Sequence, residues 1–267
     1  SMFYSYITKG AQIPKKTSHE ISVCLAEEIE KENGVIKYLS TVESILFSED
    51  KISGVRLTNG KEYYADHVIC AISPTKVYGN MIPTKYLPKN ALKLTNSRVL
   101  GARGFSIYLG LNQSAKDIGL NDYSYFIYHN LDSDKEYKLM NSINNDSSVA
   151  VVINNANKSC SPKGTCIMNI TSLFFGDCFD NAVTVENYYE LKEQIADRII
   201  NQFEETTGIS IREYIEEIEI ATPVTFARYG GHPDGVIYGY KATGLDNLLP
   251  RIMNMDNENY IDDLRFC

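Results

Sequence analysis

The spacing of apolar residues changes from helical to strand-like within the first fifty positions of the chain. A helical pattern comes first, and Thr17 followed by Glu20 fits a capping box at its start. The pattern predicts a helix over residues 17–32, and a strand-like run follows from Val35 to Phe47. The apolar residues at helical spacing are Ile21, Cys24, Leu25 and Ile29.

Two runs of alternating apolar and polar residues flank Asn59-Gly60, and both of these turn residues tolerate positive φ. The arrangement predicts a type I′ hairpin. Directly afterwards, Val68–Ile72 forms an unbroken apolar run that is closed by Ser73-Pro74. A run of this kind is typical of a strand that is covered on both faces, as in a parallel sheet.

The remainder of the chain is rich in strand patterns and contains one long helical pattern. The helical pattern follows Thr184, ends at Gly208 and predicts a helix over residues 185–206. The fold class predicted from these elements is mixed α/β (α+β). The expected strands cover residues 99–111, 123–129, 149–154 and 165–175, with extended structure at 213–228, 235–242 and 264–267.

The charge balance narrows the possible partners. The net charge is −8 with a pI near 5.1, and lysine and arginine do not cluster along the sequence. Nucleic acids and anionic membranes are therefore not expected as partners, because both require basic surface. No apolar run reaches the roughly 20 residues that a transmembrane helix needs. The six cysteines form no CxxC pair, which favours reduced thiols and a cytoplasmic location.

The sequence lacks the usual patterns of metal-dependent and nucleophilic catalysis. The four histidines show no HxH or HExxH spacing, so no metal site is expected. A GxSxG motif is absent, and no cysteine or serine stands beside a recognisable partner. The sequence therefore assigns no catalytic residue.

Three long stretches, in this order, carry a resemblance to a known family. They are "KGAQIPKKTSHEISVCLAEEIEKENGVIKYLSTVESILF", "KISGVRLTNGKEYYADHVICA" and "ATPVTFARYGGHPDGVIYGYKAT". Together they resemble the phytoene-desaturase-like flavoproteins, a family that includes carotenoid isomerases and retinol saturases and is related to the amine oxidases. The resemblance implies an FAD-dependent oxidoreductase with a small apolar substrate.

The resemblance also implies a domain organisation. Residues 1–78 would form part of an FAD-binding domain, residues 79–243 a strand-rich substrate-binding domain, and residues 244–267 a truncated return towards the FAD domain. The G-x-G-x-x-G loop that holds the pyrophosphate of a dinucleotide is absent. We therefore expect an internal fragment that lacks tightly held FAD and is inactive alone, although the intact parent would bind FAD. The oligomeric state stays open.

The cofactor-binding residues implied by the resemblance lie in two strands. Val42 matches a position that contacts adenine through backbone atoms, although a plain buried strand valine gives the same pattern. Ala71, Ile72 and Pro74 lie at the end of a strand, where ligands bind in open α/β sheets. A generic strand exit is the alternative for these three residues.

The substrate-binding residues implied by the resemblance lie in the late Gly- and Tyr-rich segment. Alternation would put Tyr238 and Tyr240 on one face of a strand, and tyrosines offer flat apolar surface with one polar tip. A surface turn with ordinary strand tyrosines is the alternative. Dehydrogenation by a flavin depends on cavity shape more than on a strong base, so His232 is a poor candidate for a general base. The five residues are Tyr229, Gly231, His232, Tyr238 and Tyr240.

Three functions remain open from the sequence. The first is part of an FAD-dependent enzyme that desaturates, saturates or isomerises an apolar polyene or lipid-like substrate. The second is an amine-oxidase-like flavoprotein, and the third is a non-catalytic module that binds an apolar ligand. An open apolar tunnel would favour the polyene function, and paired aromatic rings facing the flavin would favour the amine function.

Overall fold

A computed structural model describes residues 8–10, 14, 18–241 and 258–267. The chain divides into two compact units, of which the first comprises residues 1–36 and 104–225 and the second residues 37–103 and 226–267. The described helices are α1 His19–Lys31, α2 Pro74–Lys76, α3 Ala91–Asn96, α4 Ser133–Met140, α5 Cys178–Ala182, α6 Tyr188–Thr207 and α7 Pro223–Gly230. The strands are β1 Val42–Ser48, β2 Lys51–Leu57, β3 Glu62–Tyr64, β4 Val68–Cys70, β5 Arg103–Leu111, β6 Ser124–Ile127, β7 Ser148–Val152, β8 Cys166–Phe174, β9 Ile215–Ala221 and β10 Leu264–Phe266.

A five-stranded sheet with strand order β6-β7-β8-β5-β9 forms the first unit together with helix α6. Alternate residues of β8 are buried, as expected when one face of a strand packs on a core. One face of α6 is buried, and its Phe203 ring meets Tyr125 of β6 edge to face at 5.5 Å. Gly208 caps α6 with a left-handed φ of 69°. The long helix and the strand-rich region around it are confirmed.

A three-stranded antiparallel sheet with the order β1-β2-β3 lies in the second unit. The turn between β1 and β2 has the type I′ backbone. Its central residues Glu49 and Asp50 have φ values of 49° and 65°, between the paired residues Ser48 and Lys51.

The type I′ turn predicted at Asn59-Gly60 is wrong. Gly60 has a positive φ of 81°, but Asn59 does not. The Gly60 N–H donates to the Leu57 carbonyl at 2.9 Å, and the Leu57 N–H donates to Lys61 at 2.8 Å. This is the three-residue hairpin loop in which a turn is followed by a left-handed glycine. Only the glycine therefore needs a positive φ.

The strand after this hairpin is short, and one of its faces is open. β4 pairs in parallel with β10, with Val68 opposite Leu264. Parallel pairing and a strand at the end of the sequence agree with the predictions. Burial on both faces is wrong for the described residues, because Ile69 is 70% exposed and Ile72 is 44% exposed, whereas Cys70 is buried.

Two helices differ from the sequence predictions. Helix α4 was not predicted; the carboxylate of Asp132 caps it by accepting from Asp134 N at 3.0 Å. Helix α7 replaces the extended structure expected up to residue 228. Thr222 and Thr225 exchange hydrogen bonds at its start, and Pro223 is its first residue, where a proline loses no helical hydrogen bond.

Helix α1 lies where the sequence predicts it, but its apolar face is open. None of its residues is buried by the described chain, and the predicted apolar positions are exposed. Thr17, half of the proposed capping box, lies outside the described residues. Val35–Phe47 is only partly a strand, since β1 begins at Val42. The functional boundaries at residues 78 and 243 stay a proposal, and the compact units have different limits.

Candidate functional site

A cavity of about 280 Å³ lies within the second unit. Two stretches of chain provide most of its lining, one from residues 71–76 and one from residues 230–240, and Leu100 and Cys267 complete it. These stretches are more than 150 positions apart in the sequence, so the fold alone brings them together. The volume is at the small end of the range for ligand pockets.

The first stretch is fixed by the change from strand to helix after β4. Pro74 is the first residue of α2, where its ring needs no donor. The carbonyl of Ser73 accepts from Lys76 N at 3.0 Å and from Val77 N at 3.2 Å, and the Ser73 hydroxyl bonds the Thr75 hydroxyl at 2.7 Å. This tight turn places Lys76 at the cavity wall.

The second stretch begins where α7 ends. Gly231 has a left-handed φ of 65°, which turns the chain out of the helix. A Cβ atom added at Gly231 would meet Lys76 Nζ at 3.6 Å, so the missing side chain leaves this part of the cavity free. The ring of His232 folds back against Gly230.

Backbone hydrogen bonds hold the end of this stretch beside residues 99–103. Gly101 N donates to Gly239 O at 2.7 Å, and Ile237 N donates to Ala102 O at 2.9 Å. A Cβ atom at Gly101 would lie 2.8 Å from Gly239 O, so this close approach requires a glycine. Gly239 has a φ of 72° and separates Tyr238 from Tyr240. The prediction that these two tyrosines share one strand face is wrong.

The cavity lining contains one lysine and no aspartate or glutamate side chain. Lys76 is exposed and forms no ion pair with any described residue. The other titratable side chains in the lining are those of His232, Tyr240 and Cys267. A protonated amine in the cavity would be repelled by the Lys76 ammonium group, whereas an uncharged or anionic group would not.

Tyr240 carries a polar atom that lacks a partner. Its hydroxyl is buried and makes no hydrogen bond within the described residues, while its ring lies 4.9 Å from the Arg98 guanidinium. Arg98 in turn pairs with Glu258 at 3.1 Å. Buried polar atoms normally have a partner, so this hydroxyl is an unsatisfied group on a residue of the cavity lining.

Two neighbouring groups stay protonated because the fold buries them. Burial raises the pKa of Tyr78 to about 12; its hydroxyl donates to the Glu258 carbonyl and accepts from Tyr260 N at 3.1 Å. Burial, and then the nearby Cys267 thiol, raises the pKa of the Cys70 thiol. The Tyr78 hydroxyl therefore acts as a neutral hydrogen-bonding partner for Glu258 and Tyr260.

The cavity contains six of the residues suggested from the sequence: Ala71, Ile72, Pro74, Gly231, His232 and Tyr240. Val42 does not line it but packs against the apolar core of the second unit. Tyr229 and Tyr238 also lie outside the lining and are 80% and 68% exposed. The sequence analysis missed Lys76 and Leu100. Lys76 could have been predicted, because it comes two residues after the candidate Pro74. No sequence feature points to Leu100.

Comparison with known proteins supports the resemblance. Residues 2–102 match the model of the family described as flavin containing amine oxidoreductase. The chain is 26% identical over 259 residues to all-trans-retinol 13,14-reductase of Danio rerio, covering 90% of this chain and 42% of that protein. It is 26% identical over 220 residues to the chloroplastic prolycopene isomerase of Daucus carota, covering 82% and 34%. The chain thus spans less than half the length of these relatives.

The resemblance to phytoene-desaturase-like flavoproteins is confirmed. The fold agrees, since an oxidoreductase from Methanosarcina mazei superposes with a TM-score of 0.54 at 14% identity, covering 91% of this chain and 46% of that one. The family match ends at residue 102, so it includes the 71–76 wall of the cavity but not the 230–240 wall.

The cavity residues fit part of a flavin and not a whole dinucleotide. The space beside Lys76 that Gly231 leaves free, and the unpartnered Tyr240 hydroxyl, suit a flat ring with polar edges. A volume of about 280 Å³ is too small for the ring system and the nucleotide together. The described helices include none that is long and apolar enough to cross a membrane. Within the same residues, no group of three His, Cys, Asp or Glu side chains could hold a metal ion.

Proposed function

We propose that this chain forms the substrate-facing part of an FAD-dependent oxidoreductase that desaturates, saturates or isomerises an apolar polyene or lipid-like substrate. The observation that carries the proposal is the cavity in which Ala71, Ile72 and Pro74 meet Gly231 and Tyr240. Six of the nine residues that the family resemblance implies for cofactor and substrate contact, from distant parts of the sequence, line the same space.

The composition of the lining supports an apolar substrate. Ile72, Leu100, Val236 and Ile237 provide aliphatic surface, and the lining contains no aspartate or glutamate side chain to bind a cation. Burial of aliphatic substrate carbon against these side chains would stabilise the complex by about 25 cal/mol per Å². The polar groups of the cavity are few, which is typical of sites that orient a largely apolar ligand.

FAD is the cofactor in this proposal, and it supplies the hydride acceptor or donor when bound. Lys76, Gly231 and Tyr240 would hold one edge of its ring. Lys76 would stabilise negative charge on that edge, since no described carboxylate pairs with its ammonium group. Gly231 leaves the space free, and the Tyr240 hydroxyl would gain the hydrogen-bonding partner that it lacks. A reducing compartment such as the cytoplasm belongs to the proposal, because all six cysteines are free thiols.

An amine substrate is the second candidate, and the match to the flavin-containing amine oxidoreductase model favours it. The charge of the cavity favours the polyene instead. Lys76 would raise the free energy of a bound ammonium ion, and paired aromatic rings do not line the described cavity, where Tyr240 is the aromatic residue beside His232.

The test is a binding titration of the 267-residue chain with all-trans-retinol, followed by its fluorescence, and with cyclohexylamine, followed by calorimetry. Ile72→Gln places a polar side chain in the cavity lining, and Ile69→Gln makes the same change at an exposed position three residues earlier, outside the lining. Ile72→Gln should weaken retinol binding about tenfold, equivalent to about 1.4 kcal/mol, and Ile69→Gln should leave it unchanged.

Two results would count against the proposal. Retinol could bind no more tightly than cyclohexylamine, or the two glutamine variants could weaken retinol binding equally. Tighter binding of cyclohexylamine than of retinol would support the amine function instead. Thermal unfolding of both variants shows whether either change acts through stability.

A further inference from the structure

A second cleft, of about 470 Å³, lies in the first unit. Two separate stretches of chain supply three lysines to its lining: Lys116 from the first, and Lys158 and Lys163 from the second. The lining contains no aspartate or glutamate. This gathering of charge is invisible in the sequence, where 42 positions separate Lys116 from Lys158 and the protein as a whole carries a net charge of −8.

Two asparagines fix the chain segments that carry these lysines. Asn155 Nδ2 donates to Leu120 O at 2.8 Å and to Asp122 O at 2.7 Å, which ties the 153–155 turn to the segment after Lys116. Asn154 Nδ2 donates to Ser161 Oγ at 2.8 Å, and Asn154 Oδ1 accepts from Ile167 N at 2.7 Å. The lysine-bearing segments are therefore held in position before any ligand arrives, which reduces the entropy lost on binding.

The three ammonium groups lack a salt-bridge partner in the part of the chain that the structure describes. Asp117 follows Lys116 in the sequence but is not part of the lining, and its carboxylate accepts from the Ser114 hydroxyl at 2.7 Å. Like charges that share a cleft repel one another, so an anion that bridges them would relieve a repulsion that the fold itself leaves in place.

We propose that this cleft binds a phosphate-bearing anion through Lys116, Lys158 and Lys163. A phosphate offers several oxygen atoms, and each can accept from an ammonium group in a charge-assisted hydrogen bond. The anion has two possible sources, a free phosphate compound in solution or the headgroup of an anionic lipid. The inference does not rest on the function proposed for the cavity of the second unit, and either can fail without the other.

The experiment compares two triple variants of the 267-residue chain. Lys116→Gln, Lys158→Gln and Lys163→Gln together remove the charge of the cleft. Lys89→Gln, Lys93→Gln and Lys138→Gln remove the same charge at exposed positions elsewhere. Both changes take the net charge from −8 to −11, by loss of three positive charges, so any difference between the variants reports the location of the charge. Far-UV circular dichroism and thermal unfolding check that both variants fold.

Binding is measured at an ionic strength of about 0.15 M, where long-range attraction is screened. One arm titrates inorganic pyrophosphate by calorimetry. The other arm measures cosedimentation with vesicles of phosphatidylcholine that contain phosphatidylglycerol, against vesicles of phosphatidylcholine alone. The cleft variant should lose at least about tenfold in affinity for the probe that binds, since charged hydrogen bonds are each worth roughly that factor, and the control variant should keep its affinity.

The two arms identify the source of the anion. Binding of pyrophosphate without binding of the anionic vesicles indicates a free phosphate ligand, and binding of the anionic vesicles alone indicates a lipid headgroup. The proposal is overturned if the unmodified chain binds neither probe. It is also overturned if the cleft and control variants lose affinity equally, because the effect would then follow from total charge.

Discussion

The imidazole ring of His232 packs directly on Gly230, with no room for a side chain between them. A Cβ atom at Gly230 would lie 3.0 Å from His232 Nε2 and closer still to Cδ2. Both residues line the cavity of the second unit. The position of the ring therefore depends on the glycine, and the shape of the cavity depends on the position of the ring.

Gly230→Ala should change ligand binding more than stability. The methyl group would push the His232 ring aside, while alanine suits the last residue of a helix better than glycine, by up to about 1 kcal/mol. Retinol affinity, measured by fluorescence titration, should fall several-fold. Gly79→Ala is the matched control, because its added Cβ meets only Leu92 Cδ2 at 4.0 Å. Equal retinol affinity in the two variants would mean that the His232 ring does not shape the binding site.

Two buried tyrosine hydroxyls should respond in opposite ways to the change to phenylalanine. The Tyr240 hydroxyl has no partner among the described residues, so Tyr240→Phe should leave the free energy of unfolding unchanged or raise it by about 1 kcal/mol. The Tyr78 hydroxyl bonds Glu258 O and Tyr260 N. Tyr78→Phe should therefore lower the free energy of unfolding by about 1–3 kcal/mol. Urea denaturation measures both, and equal losses would contradict this description of Tyr240.

The turn at Glu49-Asp50 should be improved by residues that favour positive φ. Both residues are left-handed in this type I′ turn, which costs most side chains roughly 1–2 kcal/mol each. The double change Glu49→Asn and Asp50→Gly should raise the free energy of unfolding by about 1 kcal/mol. Asn59→Gly is the control and should not stabilise, since Asn59 has an ordinary negative φ. If Asn59→Gly stabilised the protein and the double change did not, the type I′ turn would lie at Asn59-Gly60 and not at Glu49-Asp50.

The buried carboxylate of Glu136 should make stability fall in acid. Burial alone would raise its pKa, but hydrogen bonds from Ser147 and Asn130 outweigh this effect and lower the pKa below the ordinary value of 4.5. Glu136 is 6% exposed. Because the folded-state pKa is the lower one, its contribution is present above pH 4.5 and is lost as the pH falls through the folded-state value.

The measurement is urea denaturation between pH 3 and pH 7, on the native chain and on Glu136→Gln. The variant should be less stable at pH 7, and the difference between the two proteins should shrink below about pH 4.5. Asp134→Asn, which removes an exposed carboxylate of the same helix, is the control. A difference that is constant over the whole range would contradict the lowered pKa of Glu136.

Much of the secondary structure could be read from the sequence because its signals are local. Helix α6 has a long apolar face and a glycine after its last turn, and both features act within a few residues. The signals for α4 and α7 were present as well, in the Asp132 cap and in Thr222-Pro223. The sequence analysis places Thr222-Pro223 within extended structure, although proline is equally suited to the first position of a helix.

Burial, and the proximity of segments that are distant in the sequence, could not be predicted in the same way. The apolar run Val68–Ile72 looks like a strand buried on both faces, but what covers a strand is decided by distant parts of the chain, and Ile69 is exposed in the described structure. The family resemblance suggested that residues 71–76 and residues 230–240 lie close to one ligand. No periodic pattern in the sequence predicts it. The lysine cleft could not be predicted from the sequence, because Lys116 lies at least 42 positions before Lys158 and Lys163 in an acidic chain.

Photo-crosslinking tests the central claim most directly, which is that the cavity of the second unit holds an apolar substrate. A retinoid that carries a photoreactive diazirine would be irradiated with the 267-residue chain, and the labelled peptides would be identified by mass spectrometry. The label should concentrate on residues 71–76 and 230–240 and should disappear when excess retinol is added. Label on the exposed aromatic side chains of β6 in the first unit, such as Phe126, or label that excess retinol does not displace, would contradict it.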